Sequence, residues 1–411
     1  MGSAITIAMA ARTPDVGKKL NWSKTLYVED KLTANSTAEE GFIALEFHRH
    51  PDEIETLWRS FEQTAVCGAN QQYDWLNAWA CTASAHYGEK PVVVVGRSAG
   101  GKVNFILPLA LKQQGGMTVC TWLASALQSA NGGLYSRAWL SALSADEFRN
   151  ILKSIAASHK GIDAFDLSNN LAKIGRWSNP AFCHPNSTPS VNNCYLAHVN
   201  TSFEEFDRRA RSSKSRSTFR SKVKRLRQNH DVSFKEITDP AEMSMVIENL
   251  IEHRNQLLVE KGTPNPFAVP AMQQFLHRAA HQSVLRFFVL QIDGEYRAIN
   301  ALLLSRGNLS GFVCSMNASG LERYSIGIQL LCDIISDLVP DEANELNFGL
   351  GDEAYKRHWT RPEPMADLQI AVSARGWLLL WPHKIVRMIK RVVRNSPIGW
   401  QLAKRIRKSI G

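Results

Sequence analysis

The chain has 411 residues, 48 Lys+Arg against 38 Asp+Glu, and a formal net charge of +10. Nineteen basic residues sit in two acid-free segments, ten in residues 208–227 and nine in 384–408, so the rest of the chain carries −9. This excludes a uniformly basic, histone-like chain. With 44% apolar and 21% charged residues, the sequence is that of a globular protein able to bury a sizeable core.

Residues 1–40 are polar and aperiodic and read as a flexible lead. Pro51–Phe61 and Gln72–Ala85 are predicted helices. The strands Pro91–Arg97, Val103–Leu111 and Met117–Leu123 follow, with turns at Ser98–Gly101 and Gln113–Gly116. Ala145–Ala157 is a helix and Asp163–Leu167 a strand. A second pass begins at Asp239-Pro240-Ala241-Glu242, where a cap, an N1 proline and a first-turn acid open a helix to about Lys261. Pro270–Ala280 is the next helix. Val284–Ile292, Tyr296–Leu304 and Ser310–Ser315 are strands, the first two joined by an Asp293-Gly294 hairpin. Ile326–Leu338 is a helix and Glu345–Phe348 a strand. The order helix, helix, three antiparallel strands, helix, strand thus occurs twice, which points to tandem duplication.

Seven cysteines, an odd count without a CxxC pair, argue against a disulfide framework or a zinc site. No metal is expected, and free thiols suit a reducing cytoplasm. No apolar run approaches the ~20 residues of a spanning helix. Ala4–Ala11 is short and lacks the basic region of a secretory signal. Met1-Gly2-Ser3-Ala4-Ile5-Thr6 fits the loose N-myristoylation pattern, which constrains so little that chance explains it.

Two segments carry chemistry. Arg323-Tyr324-Ser325-Ile326-Gly327 precedes and opens a helix after the third strand of the second pass. Helix N-termini offer backbone N–H groups and a positive dipole end that suit a pyrophosphate; the plainer alternative is an ordinary helix cap. Phe348–Trp359 leaves a strand through Gly349 and Gly351 and presents Asp352, Glu353, Tyr355, Lys356 and His358. A carboxylate there could take a proton from an attacking acceptor and a tyrosine could return one to a leaving thiolate; the alternative is a solvated surface turn.

On these residues the chain resembles the FemAB-like branch of the GNAT acyltransferase superfamily, and within it the CelD-type acetyltransferases of cellulose and exopolysaccharide synthesis. The resemblance covers residues 41–375. It is carried by Phe348-Gly349-x-Gly351-Asp352-Glu353-x-Tyr355-Lys356-x-x-Trp359, with support from Asp74-Trp75-x-x-x-Trp79, Val92–Arg97 with Leu107-Pro108-Leu109, Arg254, Pro266-Phe267 and Ser325-x-Gly327-x-x-Leu330-Leu331. It implies an α+β fold of tandem GNAT-like units with mainly antiparallel sheets flanked by helices: an N-terminal unit at 41–200 and a C-terminal acetyltransferase unit at 201–375. It implies acetyl-CoA as co-substrate, its pyrophosphate at Arg323, Ser325 and Gly327 and its thioester near Ser315. Asp352 or Glu353 would be the base and Tyr355 the acid, while Lys356, Arg254, Trp359 and Trp75 would bind an acceptor of saccharide type. The aminoacyl-tRNA-dependent FemAB proteins and a non-enzymatic membrane scaffold are the rival expectations; the chain lacks the helical-hairpin insertion of the former.

The basic segment 208–227 places Phe219, Val223 and Leu226 on a narrow apolar stripe, so it is either a solvated helix lying on the body or an anion-facing helix at the cleft. In 384–394, Ile385, Val386, Met388, Ile389, Val392 and Val393 share one arc, and Lys384, Arg387, Lys390, Arg391 and Arg394 the opposite one. Either the helix packs on the body through its apolar arc, or it lies on an anionic membrane. The expected location is the cytoplasm, with peripheral contact at the inner membrane face; nucleic acid is not an expected partner outside the tRNA-dependent rival.

Overall fold

The computed structural model describes residues 26–28 and 43–395, apart from 126, 128, 160, 200, 260, 261 and 339–342. In chain order the main elements are β1 (Ile43–His48), α1 (Glu55–Glu62), α2 (Tyr73–Thr82), β2 (Lys90–Ser98), β3 (Val103–Gln114), β4 (Met117–Trp122), α3 (Ala145–Ser158), β5 (Ala164–Leu171) and β6 (Cys194–His198). Then come α4 (Phe203–Ala210), α5 (Ser213–Asn229), β7 (Val232–Ile237), α6 (Pro240–Val259), α7 (Pro270–His281), β8 (Leu285–Ile292), β9 (Glu295–Ser305), β10 (Gly307–Met316), α8 (Ile326–Leu338), β11 (Ala343–Leu350), β12 (Met365–Ala371) and α9 (Ala374–Asn395).

Local signals place several boundaries. Ser144 and Glu147 form a reciprocal capping box at α3: the Glu147 N–H donates to Ser144 Oγ at 3.1 Å and the Ser144 N–H to Glu147 Oε2 at 2.6 Å. Asp239 Oδ1 accepts from the Glu242 N–H at 2.8 Å and caps α6. Asp293 and Gly294, both with positive φ, make the tight β8–β9 hairpin.

The strands form two main sheets. The first runs β1-β2-β3-β4-β5-β12, and the second β7-β8-β9-β10-β11-β6. Each repeats one pattern: four antiparallel neighbours, one parallel step (β4 to β5, β10 to β11), then an antiparallel strand from elsewhere in the chain. That last strand is exchanged. β6, from before residue 200, pairs with β11, while β12, from near residue 370, pairs with β5. The sheets therefore cross the 200/201 boundary read from the sequence. Leu26–Val28 pairs antiparallel with Ile43–Leu45, so this part of the expected flexible lead is a strand; the rest of 1–40 and the myristoylation pattern lie outside the described residues.

The central core spans both halves. Trp58, Trp75 and Trp79 of the first interlock with Leu250, Met272 and Phe275 of the second. Trp75 is fully buried, edge-on to Phe275 at 4.7 Å and Phe312 at 5.0 Å. Aromatic pairs of this kind contribute about 0.5–1.5 kcal/mol beyond their buried area, and here they join the halves. A second cluster beneath α3 contains Trp122, Phe148, Phe165 and Leu368; a third lies between α8 and the second sheet.

The start of α9 is fastened to β5. Ser373 Oγ donates to Asp163 Oδ1 at 2.7 Å and accepts from the Gly376 N–H at 3.1 Å, and Arg375 donates to the Gly116 carbonyl at 2.7 Å. A Cβ on Gly376 would lie 1.8 Å from the Asp163 carbonyl oxygen. Gly376→Ala is therefore expected to lift the start of α9 off the sheet and lower stability by about 1–3 kcal/mol, read as a shift in urea midpoint.

Candidate active site

The parallel ladder between β10 and β11 runs from Gly307/Ala343 to Ser310/Asn347 and ends there. Both strands continue, β10 paired to β9 as far as Met316 and β11 to β6 as far as Leu350. Neighbours that keep their outer partners and lose each other open a wedge, and the main-chain groups facing it are released from the ladder. Asn347 stands at its apex. Its Oδ1 accepts from the Gly349 N–H at 2.8 Å and the Cys194 thiol at 3.2 Å, and its Nδ2 donates to Ser129 Oγ at 3.1 Å. This ties the wedge to a loop of the first half. Gly349, at φ +78°, then turns the chain outward, a backbone conformation that side chains resist.

One wall is the approach to α8. Ser325 adopts a left-handed conformation, φ +59°, and its carbonyl accepts from the Ile328 and Gln329 N–H groups, so it opens the helix. From the basic helix α5, Lys222 Nζ reaches Ser325 Oγ at 2.9 Å. Arg323 lies over the Tyr324 ring at 4.7 Å and donates to its hydroxyl. A Cβ on Gly327 would come within 3.1 Å of Met316 Sδ, at the end of β10. Lys222 and a helix N-terminus thus meet at the end of β10, where the wedge opens, and a pyrophosphate fits this donor set, while the Arg323 guanidinium turns onto Tyr324. Ser315 faces the other way: it is buried, with no hydrogen-bond partner for its Oγ among the described residues, while Cys314 and Met316 are exposed.

The other wall is Gly349–Trp359. Lys356 is buried and donates to the Leu350 carbonyl at 2.6 Å and the Gly349 carbonyl at 3.4 Å, with Glu353 Oε2 at 2.9 Å. An ammonium has three donors, and all three close this loop. This corrects the expectation that Lys356 orients a substrate. Asp352 accepts from the Tyr195 hydroxyl through Oδ1 and pairs with Arg357 through Oδ2 at 2.6 Å, so both of its oxygens are engaged. Burial, and then the bond to Asp352, push the Tyr195 phenol up. Glu353 folds over Gly351, where a Cβ would lie 2.7 Å from its carboxylate oxygens. Tyr355 is half-buried, and burial beside Cys314 and Glu353 pushes its phenol far above the usual range, which keeps it protonated.

Arg254 projects from α6 to the end of β10. Its Nη1 donates to the Cys314 carbonyl at 3.5 Å, it lies 5.6 Å from the Phe267 ring centroid, and its buried Nε has no hydrogen-bond partner among the described residues. Burial pulls this guanidinium down from its usual range. Arg254, Glu353 and Tyr355 therefore gather around Cys314. The two tryptophans do not join them. Trp75 is in the central core, and Trp359 is buried, stacked on Phe206 at 5.5 Å and under Arg211 at 4.8 Å. Both are corrected from substrate contacts to packing. Tyr195, Asn347 and Arg357 were not singled out from sequence, and Lys222 was legible only as one cation in the α5 run. No group of three or more metal-ligating side chains occurs among the described residues.

Fold and wedge together have a GNAT-like α+β architecture. Residues 213–357, from α5 into the second wall, match the family model described as an acetyltransferase (GNAT) domain. Among curated proteins none matches the sequence. The crystal structure of FemX superposes with a TM-score of 0.56 at 10% identity, covering 79% of this chain and 97% of that one. A conserved protein of unknown function from Bacteroides thetaiotaomicron gives 0.51 at 11% identity, covering 78% and 99%. A tandem GNAT protein from the clavulanic acid biosynthesis pathway gives 0.44 at 12% identity, covering 80% and 99%.

Proposed function

We propose that the protein transfers an acyl group, acetyl in the simplest case, from acyl-CoA to a hydroxyl or amine of a sugar or amino-sugar intermediate. The CelD-type resemblance of Phe348–Trp359 supports placing that acceptor in envelope or exopolysaccharide synthesis. The observation that carries the reading is the meeting of Lys222 and the α8 N-terminus at the mouth of the β10–β11 wedge, with Arg323 three residues before the helix. Donor phosphates held there would direct a thioester between the strands. Glu353 accepts the proton of the acceptor as its oxygen or nitrogen bonds to the acyl carbon. Backbone N–H groups released from the ladder receive the developing oxyanion. The C–S bond breaks, and the Tyr355 phenol gives its proton to the departing thiolate. Arg254, whose Nε has no partner among the described residues, takes a polar oxygen of the acceptor.

Thermal unfolding with and without ligand tests the donor. Acetyl-CoA at a hundredfold its dissociation constant is expected to stabilise the folded chain by about 2.7 kcal/mol, and uncharged tRNA to leave it unchanged. Lys222→Ala, which removes a charge-assisted contact of about 1.5–3 kcal/mol, is expected to weaken acetyl-CoA at least tenfold. Stabilisation by tRNA and not by acetyl-CoA would overturn the reading in favour of an aminoacyl-tRNA donor.

A further inference from the structure

The basic C-terminal helix presents its apolar side outward. In α9 the buried positions of the first two turns are Gly376 and Leu380, and the helix packs there on β12, β4 and β5. Trp377, Leu378, Trp381, Val386 and Ile389 are all exposed, Trp377 at 56% and Leu378 at 65%. At about 100° per residue, Gly376 and Leu380 fall on the arc that Lys384, Arg387, Lys390, Arg391 and Arg394 occupy further along. The exposed five fall on or beside the opposite arc, which Met388, Val392 and Val393 continue in sequence. A terminal helix that covered the body with its apolar side would show the reverse. Over the described residues this helix meets the body through Gly376 and Leu380 and leaves Trp377, Leu378, Trp381, Val386 and Ile389 uncovered.

We infer that α9 is a docking helix for an anionic lipid bilayer, lying in the plane of the interface with its tryptophan-bearing side inserted. Two observations select lipid over a second copy or another protein, and a third bears on the mode of binding. The strip carries two stacked indoles, Trp377 and Trp381, 6.1 Å apart, at the start of the helix; indoles favour the headgroup boundary. The segment from Ala374 to Gly411 holds ten Lys and Arg and no Asp or Glu, complementary to an anionic surface and self-repelling toward a copy of itself. No helix among the described residues is long and apolar enough to cross a membrane, which leaves in-plane binding as the mode open to α9.

The full chain is mixed with vesicles of phosphatidylcholine alone or of phosphatidylcholine with phosphatidylglycerol, and sedimented. Binding to the mixed vesicles is expected, weakened by added salt and accompanied by a blue shift in tryptophan emission. Trp377→Ser with Trp381→Ser is expected to lower partitioning at least tenfold while far-ultraviolet dichroism and acetyl-CoA stabilisation stay as in the parent. Failure to bind either vesicle, binding indifferent to the double substitution, or a dimer in solution that the double substitution splits would each overturn the inference. None of these outcomes bears on the acyl-transfer reading, which rests on β10, β11 and α8.

Discussion

A Lys356→Met variant is expected to lose about 3–5 kcal/mol of folding stability, the usual consequence of deleting one partner of a buried ion pair. The ammonium is 4% exposed and is the common partner of the Glu353 carboxylate and the Leu350 and Gly349 carbonyls. Methionine fills the same space but offers no donor, so a carboxylate and two main-chain acceptors are left in a place that water reaches poorly. The urea midpoint should fall with an unchanged slope, since the surface exposed on unfolding is the same. Lys356→Arg is not expected to rescue it, because a planar fork cannot place three donors around one point. A midpoint within about 0.5 kcal/mol of the parent would refute the assignment of Lys356 to loop closure.

The second large effect is catalytic. Glu353→Gln is expected to cut turnover by about 10²–10⁴, the range for loss of a positioned proton acceptor, while the dissociation constant for acetyl-CoA stays within a factor of two or so, about 0.4 kcal/mol. Asp352→Asn is expected to act through structure. Its carboxylate is engaged by Tyr195 and Arg357, and the Arg357 side chain is 60% exposed, so the pair contributes about 1 kcal/mol or less. Steady-state kinetics on both variants separates the two carboxylates, which sequence alone left interchangeable. Equal losses in turnover would remove Glu353 from its proposed role.

The two passes were legible because their elements are locally encoded. Capping residues, an N1 proline and an Asp-Gly turn act within a few positions, and Ile326–Leu338 was read to its bounds. The missed strands share a different character. β6 has five residues, and β12 (Met-Ala-Asp-Leu-Gln-Ile-Ala) buries Asp367 and Gln369 along with its apolar positions, so neither shows a clean alternation. Each is specified by a partner about 150 to 200 residues away, information that no local window contains.

The candidate site divides in the same way. Glu353, Tyr355, Ser325 and Gly327 stand on the wedge because glycines and a helix start position them, and those signals were visible. Whether Trp75, Trp359 and Lys356 face inward or outward depends on what packs above them. Trp75 sits beside Leu76 and one turn before Trp79, an arrangement that already matched a core helix as well as a substrate wall. For the C-terminal segment the sequence defined two opposed arcs, and the burial of Gly376 and Leu380 beside exposed Trp377, Leu378 and Trp381 shows which side of its first turns meets the body.

The crossed strands also set a timetable for biosynthesis. β5 is made early, yet the strand that covers its free edge ends at Ala371. At translation rates of about 5–20 residues per second, the nascent first sheet waits roughly ten to forty seconds for that strand to be made. Through that interval it exposes an edge open to pairing with other chains. Yield from the cell should therefore be sensitive to translation speed and chaperone supply between residues 171 and 371, a vulnerability set by the order in which the chain is made.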